Sequence, residues 1–122
     1  MAGPFGWELL LDLFDCDEAT LSDEARLRQF VETLCDDVLE MRRYGDCMVC
    51  WFGAEDIDTE GYSVVQLIET SSIVGHLSPH RRSAYWNVFS CRPFSERQVT
   101  EFAVRTFAAQ QVDARFIVRG AG

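Results

Sequence analysis

Apolar and polar positions alternate along this chain in blocks whose period changes from one element to the next. Gly6 to Phe14, GWELLLDLF, is apolar enough for a central strand, although periodicity alone also tolerates a short helix there. The turn-rich Asp15 to Thr20 ends it. From Ser22 onward, Leu27, Phe30, Val31, Leu34, Cys35 and Val38 keep the three-and-four spacing of one helical face, with Asp23 and Glu24 at the favourable end of the dipole. This helix is expected to end near Arg43 and Gly45, with Glu32, Asp36 and Asp37 on its solvated side.

Asp46 to Phe52 reads as a strand, Gly53 to Gly61 as an acidic loop, and Tyr62 to Thr70 as a second strand paired with the first. After Ser71, the residues Gly75, Ser78, Pro79, Arg81 and Arg82 predict an irregular connection to a third apolar run, Ala84 to Cys91. Ser95 to Gln98 fits a capping box, followed by the stripe Val99, Phe102, Ala103, Thr106 and Phe107 of a second helix running to about Ala109. Ala114 to Arg119 alternates as a last strand, and Gly120 to Gly122 reads as a frayed tail. The order of strand, helix, three strands, helix and strand predicts an α+β two-layer sandwich, an antiparallel-rich sheet with two helices on one face. The other face is left wet or open to a partner.

The length, 122 residues, suits a single domain spanning 1–122. No apolar run approaches the ~20 residues of a membrane span. Met1 to Trp7 has no basic residue ahead of an apolar stretch, so the expected address is the cytoplasm. A net charge of -9 argues against nucleic acid as partner and is compatible with a small cationic substrate. All the basic residues are arginine, and without lysine the chain has no side chain on which to hold pyridoxal phosphate as a Schiff base. A carbonyl electron sink has to be made another way.

Five cysteines without an export signal read as mostly reduced thiols. Cys47 and Cys50 form a C-x-x-C, but on a strand positions three apart face opposite sides, so they read as small buried side chains. His76 and His80, separated by Pro79, are not on a helix and imply no metal site.

Chemistry concentrates in Tyr62 to Cys91, YSVVQLIETSSIVGHLSPHRRSAYWNVFSC. Taken locally, the serine pair reads as turn chemistry, His76 as a surface residue and Cys91 as packing. The stretch also resembles the short, prokaryotic-type, pyruvoyl-dependent S-adenosylmethionine decarboxylases. Ser71, His76 and Cys91 stand in that family's order and at its separations, and Ser63 falls where the family has an active-site serine. The opening GWELLLDLFDC, ending at Cys16, resembles the family's first strand and Gly-Cys turn, with Asp15 in place of the glycine.

The resemblance implies self-cleavage between 70 and 71, Ser71 becoming a pyruvoyl group that serves as cofactor, with no pyridoxal phosphate and no metal. It implies that His76 handles protons during cleavage, that Ser63 orients the reacting centre, and that Cys91 returns a proton to the substrate carbon. Glu69 and Trp86 are candidate substrate contacts, and Tyr85 and Phe14 are alternative stacking residues. A homodimer of cleaved protomers, with sites near the interface, is implied as well. Ser72 is the alternative nucleophile, but the separations to Ser63, His76 and Cys91 agree on Ser71.

Thr70 replaces the family's glutamate, Ser78 and His80 replace the tryptophan and glutamate around its proline, and Asn87 replaces its strand aspartate. An aromatic ring and a carboxylate are what a pocket uses to hold a nucleoside. Three functional readings follow: S-adenosylmethionine decarboxylation for polyamine synthesis, decarboxylation of a basic amino acid such as arginine or ornithine on the same fold, and a homologue that neither cleaves nor catalyses.

Overall fold

The computed structural model describes residues 3–121. Met1, Ala2 and Gly122, which include the ends of the leader and tail readings, lie outside the described residues. Six strands form one antiparallel sheet: β1 (Gly6–Phe14), β2 (Arg43–Phe52), β3 (Gly61–Ile68), β4 (Ser71–Ser78), β5 (Ser83–Ser90) and β6 (Gln111–Arg119). Their spatial order is β2-β3-β4-β5-β1-β6. The helices are the single turn α1 (Glu18–Leu21), α2 (Glu24–Thr33) and α3 (Glu96–Phe107).

Local chemistry explains where the helices start. The Asp23 carboxylate accepts from the Arg26 N–H at 3.2 Å, and the Ser95 hydroxyl accepts from the Gln98 N–H at 3.2 Å, each satisfying an orphan donor of a first turn. Leu27, Phe30 and Val31 of α2 and Val99, Ala103 and Phe107 of α3 are buried. They meet Leu9, Leu11 and Leu13 of β1, which are essentially inaccessible and each stabilise the fold by about 2–3 kcal/mol relative to exposure. Phe30 is central to this layer, with its ring 4.9 Å from both Trp86 and Phe107. The α+β sandwich expected from the sequence is the architecture observed.

One expected connection is a strand. Ser71–Ser78, read as irregular, is β4, the strand that joins the two halves of the sheet. Its core-side residues are Ser71, Ile73, Gly75 and Leu77. Gly75 looks like a breaker but is required by packing: a Cβ there would stand 2.3 Å from the Trp86 ring. The irregular part shrinks to Pro79–Arg82.

The first long helix also departs from expectation. After Thr33 it widens into a π-helical segment, Leu34–Leu39, and stops at Glu40 in the left-handed region with φ 53. This brings the chain out early, so that Met41, Arg42 and Arg43 run beside the β3–β4 turn rather than forming a last helical turn.

The sheet has two unlike faces. The helices cover one; the other carries Leu10, Met48, Val65, Leu67, Val74, Phe89 and Ile117, by the alternation of burial and the strand register. Met48 is 61% exposed and Leu67 53%, far more than a strand core position tolerates without a cover.

Candidate active site

Four segments meet at one end of the sheet around the turn between β3 and β4. Ile68 pairs with Ser71, so the turn consists of Glu69 and Thr70 alone, and Ser71 pairs onward with Ser90. The chain leaving β5 supplies Cys91, whose thiol donates to the Thr70 carbonyl oxygen at 2.9 Å. The segment after the π-helical turn closes the other side: the Glu69 N–H donates to the Arg42 carbonyl at 3.3 Å, and the Arg92 guanidinium donates to the Glu40 carbonyl at 2.8 Å. Ser90, fully buried, donates to the Met41 sulfur at 3.5 Å and accepts from the Arg92 N–H at 2.9 Å.

Two clefts share the Thr70–Ser71 peptide. One, of about 500 Å3, opens on the uncovered face between Leu67, Ser72 and Phe89. The other, of about 460 Å3, lies at the rim between Met41, Arg42 and Arg92. Ser71 itself is 8% exposed. The peptide bond that self-cleavage would break therefore borders solvent on both sides of the turn.

Ser63 and His76 also come together, at a different place. They face each other across β3 and β4 with the Ser63 hydroxyl 3.0 Å from His76 Nδ1, on the uncovered face. Five residues of extended β4 separate His76 from Ser71, about 16 Å along the strand. Within one protomer the four residues thus fall into two groups, Ser71 with Cys91 bonded to the carbonyl before it, and Ser63 with His76, toward opposite ends of β4.

Next to His76 is a third cleft, of about 350 Å3, bordered by Asp58, Thr59, Ser78 and Tyr85. Ser78, one of the substituted positions, donates its hydroxyl to the Asp58 carbonyl at 2.7 Å and so ties down the 53–60 loop. His80, the other, has Nε2 3.8 Å from the Asp58 carboxylate. Tyr85 lies edge-on to Phe14, ring centroids 6.5 Å apart.

The two candidate substrate contacts fare differently. Glu69 is in the turn, not on a continuing strand, and its carboxylate is 3.9 Å from Arg42 at the mouth of both clefts. Trp86 is corrected to a core residue: it is 3% exposed, on the helix-covered side, with its ring engaged by Phe30 and Phe107 and unavailable for stacking a substrate. Sequence reasoning overlooked Met41 and Arg92, which wall the Ser71 site; Arg92 follows Cys91 directly, whereas nothing local marks Met41.

Asn87 has a clear role in place of an aspartate. Its amide donates to one Glu8 oxygen at 2.6 Å while Arg119 donates to the other at 2.6 Å. The Asn87 bond first, and then Arg119, hold the Glu8 carboxyl below the usual glutamate range. Asp15 adopts φ 52, the left-handed conformation for which a glycine at that turn is suited.

Cys16, Cys35 and Cys47 are buried thiols. Burial pushes the Cys16 thiol up to about 11 and the Cys35 thiol up to about 12, and Cys47 also rises, so none is a ready nucleophile near neutral pH. Cys47 faces the core and Cys50 the open face, as expected for positions three apart on a strand. Among the described residues no three His, Cys, Asp or Glu side chains are placed to hold a metal ion, and no helix is long and apolar enough to cross a membrane.

Comparison with known proteins adds independent findings. The family profile described as S-adenosylmethionine decarboxylase matches residues 7–120. The S-adenosylmethionine decarboxylase proenzymes of two Saccharolobus islandicus strains, L.S.2.15 / Lassen #1 and M.16.27, are each 33% identical over 88 residues. Those matches cover 72% of this chain and 66% of the relatives' own length, just under two thirds. The crystal structure of the adenosylmethionine decarboxylase from Aquifex aeolicus VF5 superposes with a TM-score of 0.83, covering 99% of this chain and 95% of that one at 18% identity, a likeness of fold. A profile match over nearly the whole sequence places this chain in the S-adenosylmethionine decarboxylase family.

Proposed function

We propose that the protein is a pyruvoyl-dependent decarboxylase that makes its prosthetic group by cutting itself between Thr70 and Ser71, with S-adenosylmethionine as substrate. The observation that carries this is the Cys91 thiol at 2.9 Å from the Thr70 carbonyl oxygen. That carbonyl is the one Ser71 attacks; if Ser72 were the nucleophile, the reacting carbonyl would be that of Ser71. The name proenzyme carried by the Saccharolobus relatives supports the same reading.

The residues around Ser71 fit a pyruvoyl group made in place. The peptide to be cut is in a solvent-bordered turn, a thiol is held against its carbonyl, and the chain has no lysine to carry an alternative carbonyl sink. The pyruvoyl carbonyl supplies the electron sink that takes up the charge left when carbon dioxide departs. Cys91, already beside position 71, returns a proton to the substrate carbon. The clefts on either side of the turn give a substrate access to position 71.

Ser63 and His76 complete the site from a second copy. About 16 Å along the strand is too far for His76 to take the Ser71 proton in its own protomer, because acid–base catalysis needs contact at about 3 Å. Both residues lie on the uncovered apolar face, where Met48 and Leu67 are more than half exposed. A two-fold axis through that face buries these side chains and brings Ser63 and His76 of the partner subunit toward Ser71.

A second substrate reading, a smaller basic amino acid, is favoured by one observation. Where the family resemblance implies a tryptophan and a glutamate, Ser78 and His80 are both engaged with Asp58, leaving beside His76 a cleft lined by Asp58 and Arg81, with Tyr85 as its one aromatic ring, that suits the paired charges of a small amino acid better than a nucleoside. Carbon dioxide release from carboxyl-labelled S-adenosylmethionine, arginine and ornithine, measured on the cleaved protein, tests both readings. Turnover of S-adenosylmethionine supports the first, turnover of a basic amino acid the second, and turnover of none of the three contradicts both.

A further inference from the structure

Thr70 occupies the second position of the two-residue turn with φ 59. In that region an L-residue's Cβ crowds the neighbouring carbonyl oxygen, and branching at Cβ makes the crowding worse. Five described non-glycine residues have positive φ, namely Asp15, Glu40, Thr70, Arg82 and Ala108, and Thr70 alone among them is β-branched. Glu69 before it is not in the positive region, so the turn has the form that calls for glycine at its second position.

The surroundings hold Thr70 there. Ile68–Ser71 pairing fixes both ends of the turn, Ser71–Ser90 pairing anchors β4, and Cys91 grips the Thr70 carbonyl. The Thr70 hydroxyl donates to the Glu69 carbonyl at 2.6 Å across the same turn. A strained conformation that neighbouring pairings enforce is thus held in the residue whose carbonyl carbon is the one proposed to be attacked.

We propose that Thr70 is a positioning residue whose strained backbone drives the first step of self-cleavage, an inference that rests on cleavage at Ser71 as argued above. In that step the Ser71 hydroxyl oxygen bonds to the Thr70 carbonyl carbon, the carbon–nitrogen bond breaks, and the hydroxyl proton passes through a base to the freed Ser71 nitrogen. The chain from the Thr70 carbonyl carbon to the Ser71 Cα then runs through oxygen and Cβ instead of through nitrogen. It gains one atom, and a turn too tight for a branched residue relaxes. A base next takes the Ser71 α-proton and the Thr70 carboxylate leaves Cβ, giving an enamine; a proton returns to Cβ to make the methyl group, and water hydrolyses the resulting imine to the carbonyl with release of ammonia. Relief of strain favours the ester, which is otherwise the less stable of the two linkages.

The test follows cleavage over time, by intact mass, in Thr70→Gly and Thr70→Val variants, together with thermal unfolding of Thr70→Gly in the uncleavable Ser71→Ala background. Glycine removes the crowding, and the expected result is cleavage about tenfold slower than in the unaltered chain. Valine keeps the branching and loses the hydroxyl, and the expected result is an unaltered rate. In the Ser71→Ala background the glycine is expected to raise the melting temperature, the opposite of what simple damage to the turn produces. A glycine variant that cleaves as fast as the unaltered chain, a valine variant as slow as glycine, or a lowered melting temperature overturns the role of strain. An unaltered chain that never cleaves removes the function itself and the inference with it.

Discussion

The Cys91 thiol donates to the Thr70 carbonyl oxygen at 2.9 Å, although the two residues are 21 positions apart in sequence. The contact is made because β5 ends at Ser90 directly opposite Ser71, so the residue after one strand meets the residue before the other. Under the proposed function one thiol would serve two reactions in succession, polarising a carbonyl during self-cleavage and later giving a proton to a substrate.

The two roles separate by substitution. Cys91→Ala removes the donor to the carbonyl and the acid together; cleavage slows by about 10²-fold and decarboxylation falls by about 10²–10⁴-fold. Cys91→Ser keeps a donor but offers a much weaker acid, so cleavage persists while decarboxylation stays low. Intact mass over time reads the first, and carbon dioxide release per cleaved chain the second. Equal loss of both in the serine variant would contradict the division of roles.

Ser63 and His76 are predicted to act across the dimer. His76→Ala and Ser71→Ala homodimers should both remain uncut. Co-expressed, they form mixed dimers in which the His76→Ala chain carries an intact Ser71 and faces the intact His76 of the partner subunit. Those His76→Ala chains are then cleaved, up to about half of them if subunits assemble at random. Mass spectrometry of differently tagged chains measures this, and absence of cleavage in the mixture would place the acid–base group within the same protomer.

Glu8 gives a pH dependence with a definite sign. Its carboxyl is held below the ordinary value by Asn87 and Arg119, so its contribution to stability is fully present above the unfolded value of about 4.3 and is lost as pH falls through the folded value. Glu8→Gln keeps an oxygen for Asn87 and removes the charge facing Arg119. The variant melts lower at pH 7, and the gap closes as pH falls through the folded value of Glu8. Melting curves of both proteins at pH 7 and in acid decide it, a gap that stays constant contradicting the ionised Glu8.

Much of the fold is legible in the sequence: the apolar content of Gly6 to Phe14 marks a strand, although its periodicity does not exclude a helix, and the Val99, Ala103 and Phe107 stripe names α3. β4 was not legible for a specific reason. Gly75 and the flanking serines are loop-forming by type, and only the Trp86 ring, brought in by β5, makes a glycine there a packing requirement. Cys91 reaches the Thr70 carbonyl because a two-residue turn and one strand pairing place it there, which spacing alone does not give. That Ser63 faces His76, and how far both stand from Ser71, depends on β4, which reads in the sequence as an irregular connection, being an extended strand paired with β3. Trp86 shows the limit of residue type: an aromatic beside a site is a stacking candidate until the side of the sheet it faces is known.

The strain at Thr70 was equally hidden, since a backbone angle is not written in a single residue. Threonine at this position is unremarkable until Ile68 is seen to pair with Ser71, which leaves the turn only two residues and forces one of them into a left-handed conformation.

The central claim is that Ser71 is consumed to make the prosthetic group, and the most direct test is the intact mass of the purified, denatured protein beside its Ser71→Ala variant. The account predicts two chains from the unaltered protein, one ending at Thr70 and one beginning at position 71 with the mass of a pyruvoyl group, and a single uncut chain from the variant. A single uncut chain from both, under conditions in which the protein is folded, would contradict it.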